Sequence, residues 1–235
     1  MGGAVSSARR GSPVRSLVTA TTPPIHHRLA EIGLVGGPYG FALAGGHAIA
    51  AHGILQRPSE DVDLFADWQR RADFPNAVDK VVAAYRADGY DVEIDLRLDT
   101  FARLHVTDPD NSSQQHRVEL VANWRAHPPV QLDIGPVLHA DDVMAGKMDA
   151  LCNRAAARDF LDIDAAVTSG RYTIDRLCDL AHDADSGFDR TLFAAMLGRV
   201  ERLDDEDFTA YGVTVEHVAV LRNHVARWRA ALEAA

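Results

Sequence analysis

The sequence predicts an α+β protein: a mixed β-sheet with flanking helices over residues 24–135, then a helical C-terminal half over 136–235. Three observations carry that prediction. An apolar run at 41–44 ends in Gly45-Gly46 and passes into an Ala-rich stretch of helical character. A second strand signal begins at Asp61, where Val62 and Leu64 alternate with Asp61 and Asp63. From Ala140 onward nearly every segment reads as helical.

Taken in order, residues 1–23 hold Arg9, Arg10 and Arg15 among Gly, Ser and Thr, and lack an apolar block of signal-peptide length. They are expected to be a disordered leader. A first helix is predicted over 25–34, stopped by Gly36-Gly37-Pro38. The strand, glycine turn, helix and Asp-x-Asp strand follow. Residues 77–88 then read as a helix with Val78, Val81, Val82 and Tyr85 on one face. Three β-like runs come next, at 92–98, 101–107 and 117–122, with a turn signal at Asp108-Pro109-Asp110-Asn111-Ser112 between the last two. Beyond His127-Pro128-Pro129 the character changes, which puts a domain boundary in 125–140. Asp204-Asp205-Glu206-Asp207 reads as a solvated helix start, where carboxylates suit the positive end of the helix dipole. In the last helix, Val218, Leu221, Val225, Trp228 and Leu232 form a stripe expected in the core.

Composition narrows the function classes. A chain of 235 residues with 47% hydrophobic and 25% charged residues is ordinary for a soluble globular protein and can bury a substantial core. No apolar run approaches the ~20 residues that cross a bilayer, so a cytoplasmic protein without a membrane partner is expected. The net charge of −10 argues against indiscriminate nucleic-acid binding while leaving room for a local basic groove. Cys152 and Cys178 lack ligand-like spacing, so neither a disulfide nor structural zinc is expected. The eleven histidines are scattered and are read as non-metal, His26-His27 included.

The chemistry concentrates between residues 45 and 64. Side chains two apart on a strand share a face, so Asp61 and Asp63 project together. Two adjacent carboxylates repel unless a cation sits between them, and a divalent metal bridging nucleotide phosphates is the usual reason to build such a pair. A bare Asp-x-Asp is more often two solvated aspartates at a strand end; the glycines upstream tip the balance. Without a Cβ, Gly45 and Gly46 let backbone approach a ligand, and a helix starting there offers N–H groups to phosphate. Between them lies Arg57-Pro58-Ser59. Arg57 either neutralises a triphosphate or lies on a loop surface; Ser59 either orients a phosphate oxygen or caps the turn. Lysine is rare here: of 24 cationic residues only Lys80 and Lys147 are lysine, and a compact point charge suits phosphate. If the helix runs unbroken, Lys147, Leu151, Arg154, Arg158 and Asp162 share a stripe, with Arg158 and Asp162 at salt-bridge spacing. Glu119 is the better candidate for a third carboxylate, as metal ligand or general base, with Asp133 the alternative.

At these residues the sequence resembles a family. Gly45-Gly46 with Arg57-Pro58-Ser59-Glu60-Asp61-Val62-Asp63-Leu64 looks like the first motif of the DNA-polymerase-β-like nucleotidyltransferases. Asp142-x4-Lys147 and Arg158-Asp159-Phe160-Leu161-Asp162 are similar to later motifs of the AbiEii/AbiGii (MenT-like) toxins. His47 departs from the small hydroxyl residue common after the two glycines. The resemblance covers roughly 38–168 and implies transfer of a nucleoside monophosphate from an NTP to an acceptor hydroxyl. Mg²⁺ or Mn²⁺ would sit on Asp61 and Asp63. Gly45, Gly46, Arg57, Ser59, Lys147 and Arg158 would serve the nucleotide, and Asp162 would lie in the catalytic cleft. It further implies a toxin with a partner antitoxin, and a tRNA 3′ end as one acceptor. Two alternatives stay open: an aminoglycoside-type antibiotic nucleotidyltransferase, which shares the first motif, and a nucleotide-binding regulatory module without turnover.

Overall fold

Alternating burial along three strands decides where everything else goes. The structure, a computed structural model, describes residues 23–234; the leader expected over 1–23 falls almost wholly outside them. In β2 (Asp61–Asp67), Val62, Leu64 and Ala66 are buried; in β4 (Phe101–Asp108), Ala102, Leu104 and Val106; in β5 (Asn111–Asn123), Val118, Leu120 and Ala122. These nine side chains make one apolar sheet face. Helices α1 (Pro24–Gly33) and α3 (Phe74–Ala87) pack there through Leu29, Ala30, Val78, Val81 and Tyr85. The buried Tyr85 hydroxyl donates to the Leu29 carbonyl at 2.8 Å, tying the two helices together and satisfying a polar group that burial would otherwise penalise.

Seven strands form one mixed sheet in the order β3-β4-β5-β2-β1-β7-β6. The short β1 (Ala42–Leu43) runs antiparallel to β2 and parallel to β7 (Gly135–Val137). β3 (Asp91–Arg97), β4 and β5 form an antiparallel meander, and β5 lies parallel to β2. That parallel pairing sets Asp63 opposite Glu119 and Asp61 opposite Arg117, on the face away from α1 and α3. The hairpin of β6 (Val130–Leu132) and β7 was not foreseen. Its strands are three residues long and follow two prolines, too short to show a period.

The remaining elements are helical: α4 (Ala140–Asn153), α5 (Ala157–Thr168), α6 (Ile174–Ala184), α7 (Arg190–Leu197), α8 (Asp205–Thr209) and α9 (Val215–Glu233). α4 packs on α2 (Gly45–Ala51), so the helical half closes over the glycine turn. Val218, Leu221 and Val225 of α9 are buried as expected from the stripe, with Trp228 and Leu232 partly so. No helix among the described residues is long and apolar enough to cross a membrane.

One expectation fails here. The stripe from Lys147 to Asp162 needs an unbroken helix, and the chain breaks at 154–156. Ala155 takes the left-handed conformation (φ 50) and Ala156 is extended. The cause is Asp159, fully buried, whose carboxylate accepts from the Ala156 N–H at 3.1 Å and from Arg154 at 2.8 and 2.9 Å. A local side-chain partner for backbone outcompetes the helical ladder at that point. Arg154 is thereby spent on Asp159, and Asp162 pairs elsewhere than with Arg158.

Candidate active site

The glycine turn is shaped by what sits against it. Ala44 leaves β1 extended and its N–H donates to the Asp63 carbonyl at 2.8 Å. Gly45 then takes φ +60, and a Cβ there would overlap the Asp63 carboxylate. A Cβ on Gly46 would lie 2.7 Å from Ser59 Oγ and 3.4 Å from Arg57 Nη1. Both glycines are therefore required by close approach, and Gly45 also by its backbone hand. Gly45→Ala is expected to cost about 1–3 kcal/mol of stability and to slow turnover on the order of 10²-fold by displacing Asp63. Gly89→Ala, also at positive φ (+95) but with nothing within 4 Å, isolates the backbone part when both are unfolded in urea.

The two aspartates of β2 share a face and differ in state. Asp61 is held by Arg117 in a two-pronged ion pair, Nε and Nη2 each 2.6 Å from a carboxylate oxygen. Asp63 has no hydrogen bond or ion pair from its side chain among the described residues. Burial pushes its pKa up to about 6; Lys147 opposes this, and the nearby charges of Glu119 and Asp61 add to it. Glu119 accepts from Arg103 Nε at 3.0 Å and lies 3.9 Å from Arg117 Nε. Asp133, the alternative third carboxylate, is exposed in the β6–β7 turn. It lines a different cavity of about 560 Å³ with His26 and His47. Only Glu119 stands in register with Asp63.

Behind this face lies a buried charge cluster. Asp162 is fully inaccessible and accepts from Arg57 Nε and Nη2, each at 2.7 Å, and from Lys147 Nζ at 2.9 Å. Burial pushes the Asp162 carboxyl up, but the charges of Lys147 and Arg57 and their hydrogen bonds outweigh it, leaving it below the usual carboxylate range. Arg57 also stacks over Tyr211, 5.5 Å from the ring centroid. It is thus a core residue rather than a loop surface residue.

A cleft of about 620 Å³ brings Gly45, Asp63, Glu119 and Lys147 together, with Phe65, Val121, Asn123 and Trp124 continuing its floor and lip. Asp61 and Arg117 border it through the strand register. Ser59 backs Gly46, and Asp162 lies beneath Lys147 and outside the lining. Arg158 is half-buried, has no hydrogen bond or ion pair among the described residues, and its charge is felt at Asp63. His47 is buried against His26 (ring centroids 5.4 Å apart), and burial with the nearby charges of His26 and Arg57 pushes it down to about 4. It is neutral at pH 7 and brings no charge to the turn. Arg117, Arg103 and Trp124 were not singled out from sequence. Arg117 stands two residues before Glu119 on one strand face, but its pairing with Asp61 is set by the register of β5 on β2.

The donor set fits a hard divalent cation. Three carboxylates share a sheet face; one of them has no ion pair among the described residues and is held at a raised pKa that a metal would reverse; and Gly45 gives that carboxylate the space a Cβ would take.

A glycine turn entering a helix, set against paired carboxylates on the next strand, is the arrangement that the resemblance to nucleotidyltransferases implies, and the fold is of that class. Two solved Helicobacter pylori proteins support the fold. One, assigned as a nucleotidyltransferase, aligns with TM-score 0.56 at 17% identity over 89% of this chain and 95% of that one. The other, JHP933, gives TM-score 0.51 at 19% identity over 89% and 91%. MenT4, a nucleotidyltransferase toxin of Mycobacterium tuberculosis, aligns with TM-score 0.49 at 18% identity over 89% and 83%. No curated protein matches the sequence significantly. The sequence does match the nucleotidyl transferase AbiEii toxin family, a type IV toxin–antitoxin system, over residues 28–233. The chain belongs to that family and is a nucleotidyltransferase.

Proposed function

We propose that this toxin nucleotidyltransferase moves a nucleoside monophosphate from an NTP to an acceptor hydroxyl with the help of Mg²⁺ or Mn²⁺. The observation that carries the reading is Asp63: in register with Glu119, against Gly45, within the field of Lys147 and Arg158, and without an ion pair among the described residues. Asp61 and Asp63 would hold the metal, which would supply Lewis-acid charge at the α-phosphate and leaving group. Lys147 spends one N–H on Asp162 and keeps others for the β- and γ-phosphates. Arg158 adds a second cation there. Glu119 would take the proton of the attacking hydroxyl. The acceptor oxygen bonds to the α-phosphorus as the bond to the bridging oxygen breaks, and pyrophosphate leaves.

By family, the physiological setting would be a cytoplasmic toxin restrained by an antitoxin, with an RNA 3′ hydroxyl, such as that of tRNA, as acceptor. A second reading rests on the outer cleft, where Asp142, Asp149, Asp185 and Asp189 outnumber Lys147 and Arg154. Such a lining favours a cationic acceptor of the aminoglycoside kind. One experiment tests both: incubation with each α-³²P-labelled NTP, Mg²⁺, and either total RNA or an aminoglycoside. Label in an RNA band supports the first reading and label on the drug the second. Label in neither, with wild type matching Asp63→Ala, overturns nucleotidyl transfer to these acceptors.

A further inference from the structure

Apart from the carboxylates of β2, three donors converge at the start of α4. His127, from the segment between β5 and β6, His139, just before α4, and Asp141, in its first turn, present ligand atoms all within 4.8 Å of one another. The two imidazoles are stacked, with centroids 4.3 Å apart and planes 23° from parallel. Neighbouring groups hold the arrangement. Asp142 accepts from the backbone N–H of Ala126 at 2.8 Å and of His127 at 3.0 Å, pinning the segment to α4. Tyr172 donates to one oxygen of Asp141 at 2.8 Å and Arg176 to the other at 2.9 Å, which fixes the carboxylate and leaves each oxygen a free lone pair. His127 Nδ1 is buried and has no hydrogen-bond partner among the described residues, with Asp142 Oδ2 3.6 Å away.

We propose that His127, His139 and Asp141 form a binding site for a divalent transition ion, Zn²⁺ by chemistry, separate from the Asp61–Asp63 site. Two imidazole nitrogens and one carboxylate suit Zn²⁺, whereas Mg²⁺ prefers an all-oxygen shell and keeps its water. Tyr172 and Arg176 do for Asp141 what hydrogen bonds to a metal-bound carboxylate commonly do, orienting it from behind. His139 Nδ1 accepts the Asp141 N–H at 3.2 Å, a long bond that the ion would replace. The ion would clamp the β5–β6 segment onto α4. Trp124, at the lip of the cleft, lies on the first, and Lys147 on the second. The role is structural: it would fix the width of the cleft.

The test uses the full chain, stripped with EDTA and held in millimolar Mg²⁺ to compete at the β2 carboxylates. Titration with Co²⁺ is followed by d–d absorption, then by displacement with Zn²⁺ and by the melting temperature. The expected result is one Co²⁺ per chain, displaced by Zn²⁺, with Zn²⁺ raising Tm. His127→Ala, at a half-exposed side chain, should weaken binding at least about tenfold and abolish the Tm shift, and Asp63→Asn should leave both intact. Absence of Co²⁺ binding, binding indifferent to His127→Ala, or binding lost in Asp63→Asn each overturns the site.

Discussion

Asp63→Asn is expected to abolish nucleotidyl transfer and to make the protein more stable at pH 7. The loss should be at least about 10³-fold, since a metal ligand supplies several kcal/mol of transition-state charge stabilisation and each ~1.4 kcal/mol is tenfold. The gain follows from the same carboxyl. Burial, with Glu119 and Asp61 nearby, holds it up to about 6 in the folded chain; unfolded, it titrates near ~3.9. Between those values the folded chain keeps a proton that the unfolded chain has released, so this group's contribution to stability falls as pH rises and is gone above the folded value. Asparagine removes that penalty, worth about 1–3 kcal/mol at ~1.4 kcal/mol per unit once partial exposure is discounted. Urea unfolding of both proteins from pH 4 to 8 checks it: the difference should be near zero in acid and level off above neutrality. Mg²⁺ should narrow the gap by stabilising wild type alone. Equal activity would remove Asp63 from the chemistry; equal stability would mean that the charge is solvated well enough to cost nothing.

How far the site could be read in the sequence depends on the reach of each interaction. The alternation in 61–67 put Asp61 and Asp63 on one face, and the glycine pair announced the turn, because both are local signals. Lys147 stood out by its rarity and by the Asp142-x4-Lys147 spacing. Glu119 was singled out as the better third carboxylate, but its place opposite Asp63 was not readable, because it depends on β5 returning parallel to β2 after a helix and two antiparallel strands. Arg117 went unnoticed for the same reason: its meaning lies in a register, not in a motif. The break at 154–156 was hidden because Ala-rich sequence favours helix, and only the buried Asp159 carboxylate makes the turn cheaper. Arg57 and Asp162 are 105 residues apart, and nothing local at Arg57 says that its guanidinium is buried.

That last pair sets the other large effect. Asp162→Ala should destabilise the protein by about 3–5 kcal/mol, a large share of the ~5–15 kcal/mol typical of a folded domain. The carboxylate is wholly buried, and its partners Arg57 and Lys147 have side chains only 3% and 10% exposed. Removing it strands Arg57, which cannot reach water without opening the contact between α5 and the turn before β2, and leaves Lys147 only the cleft to face. Asp162→Asn keeps the shape and one acceptor oxygen, and should fall between wild type and the alanine variant. Because Lys147 and Arg57 hold the carboxyl below its ordinary range, its stabilising effect is complete above ~4 and fades as pH falls through the depressed value. Wild type and Asp162→Ala should therefore differ strongly in urea at pH 7 and much less near pH 2. Kinetics on the asparagine variant, at a temperature where it stays folded, separate positioning from chemistry. If Asp162 acts by aiming Lys147 at phosphate, KM for the NTP rises more than kcat falls; a collapse of kcat at unchanged KM would place its carboxylate among the reacting groups instead.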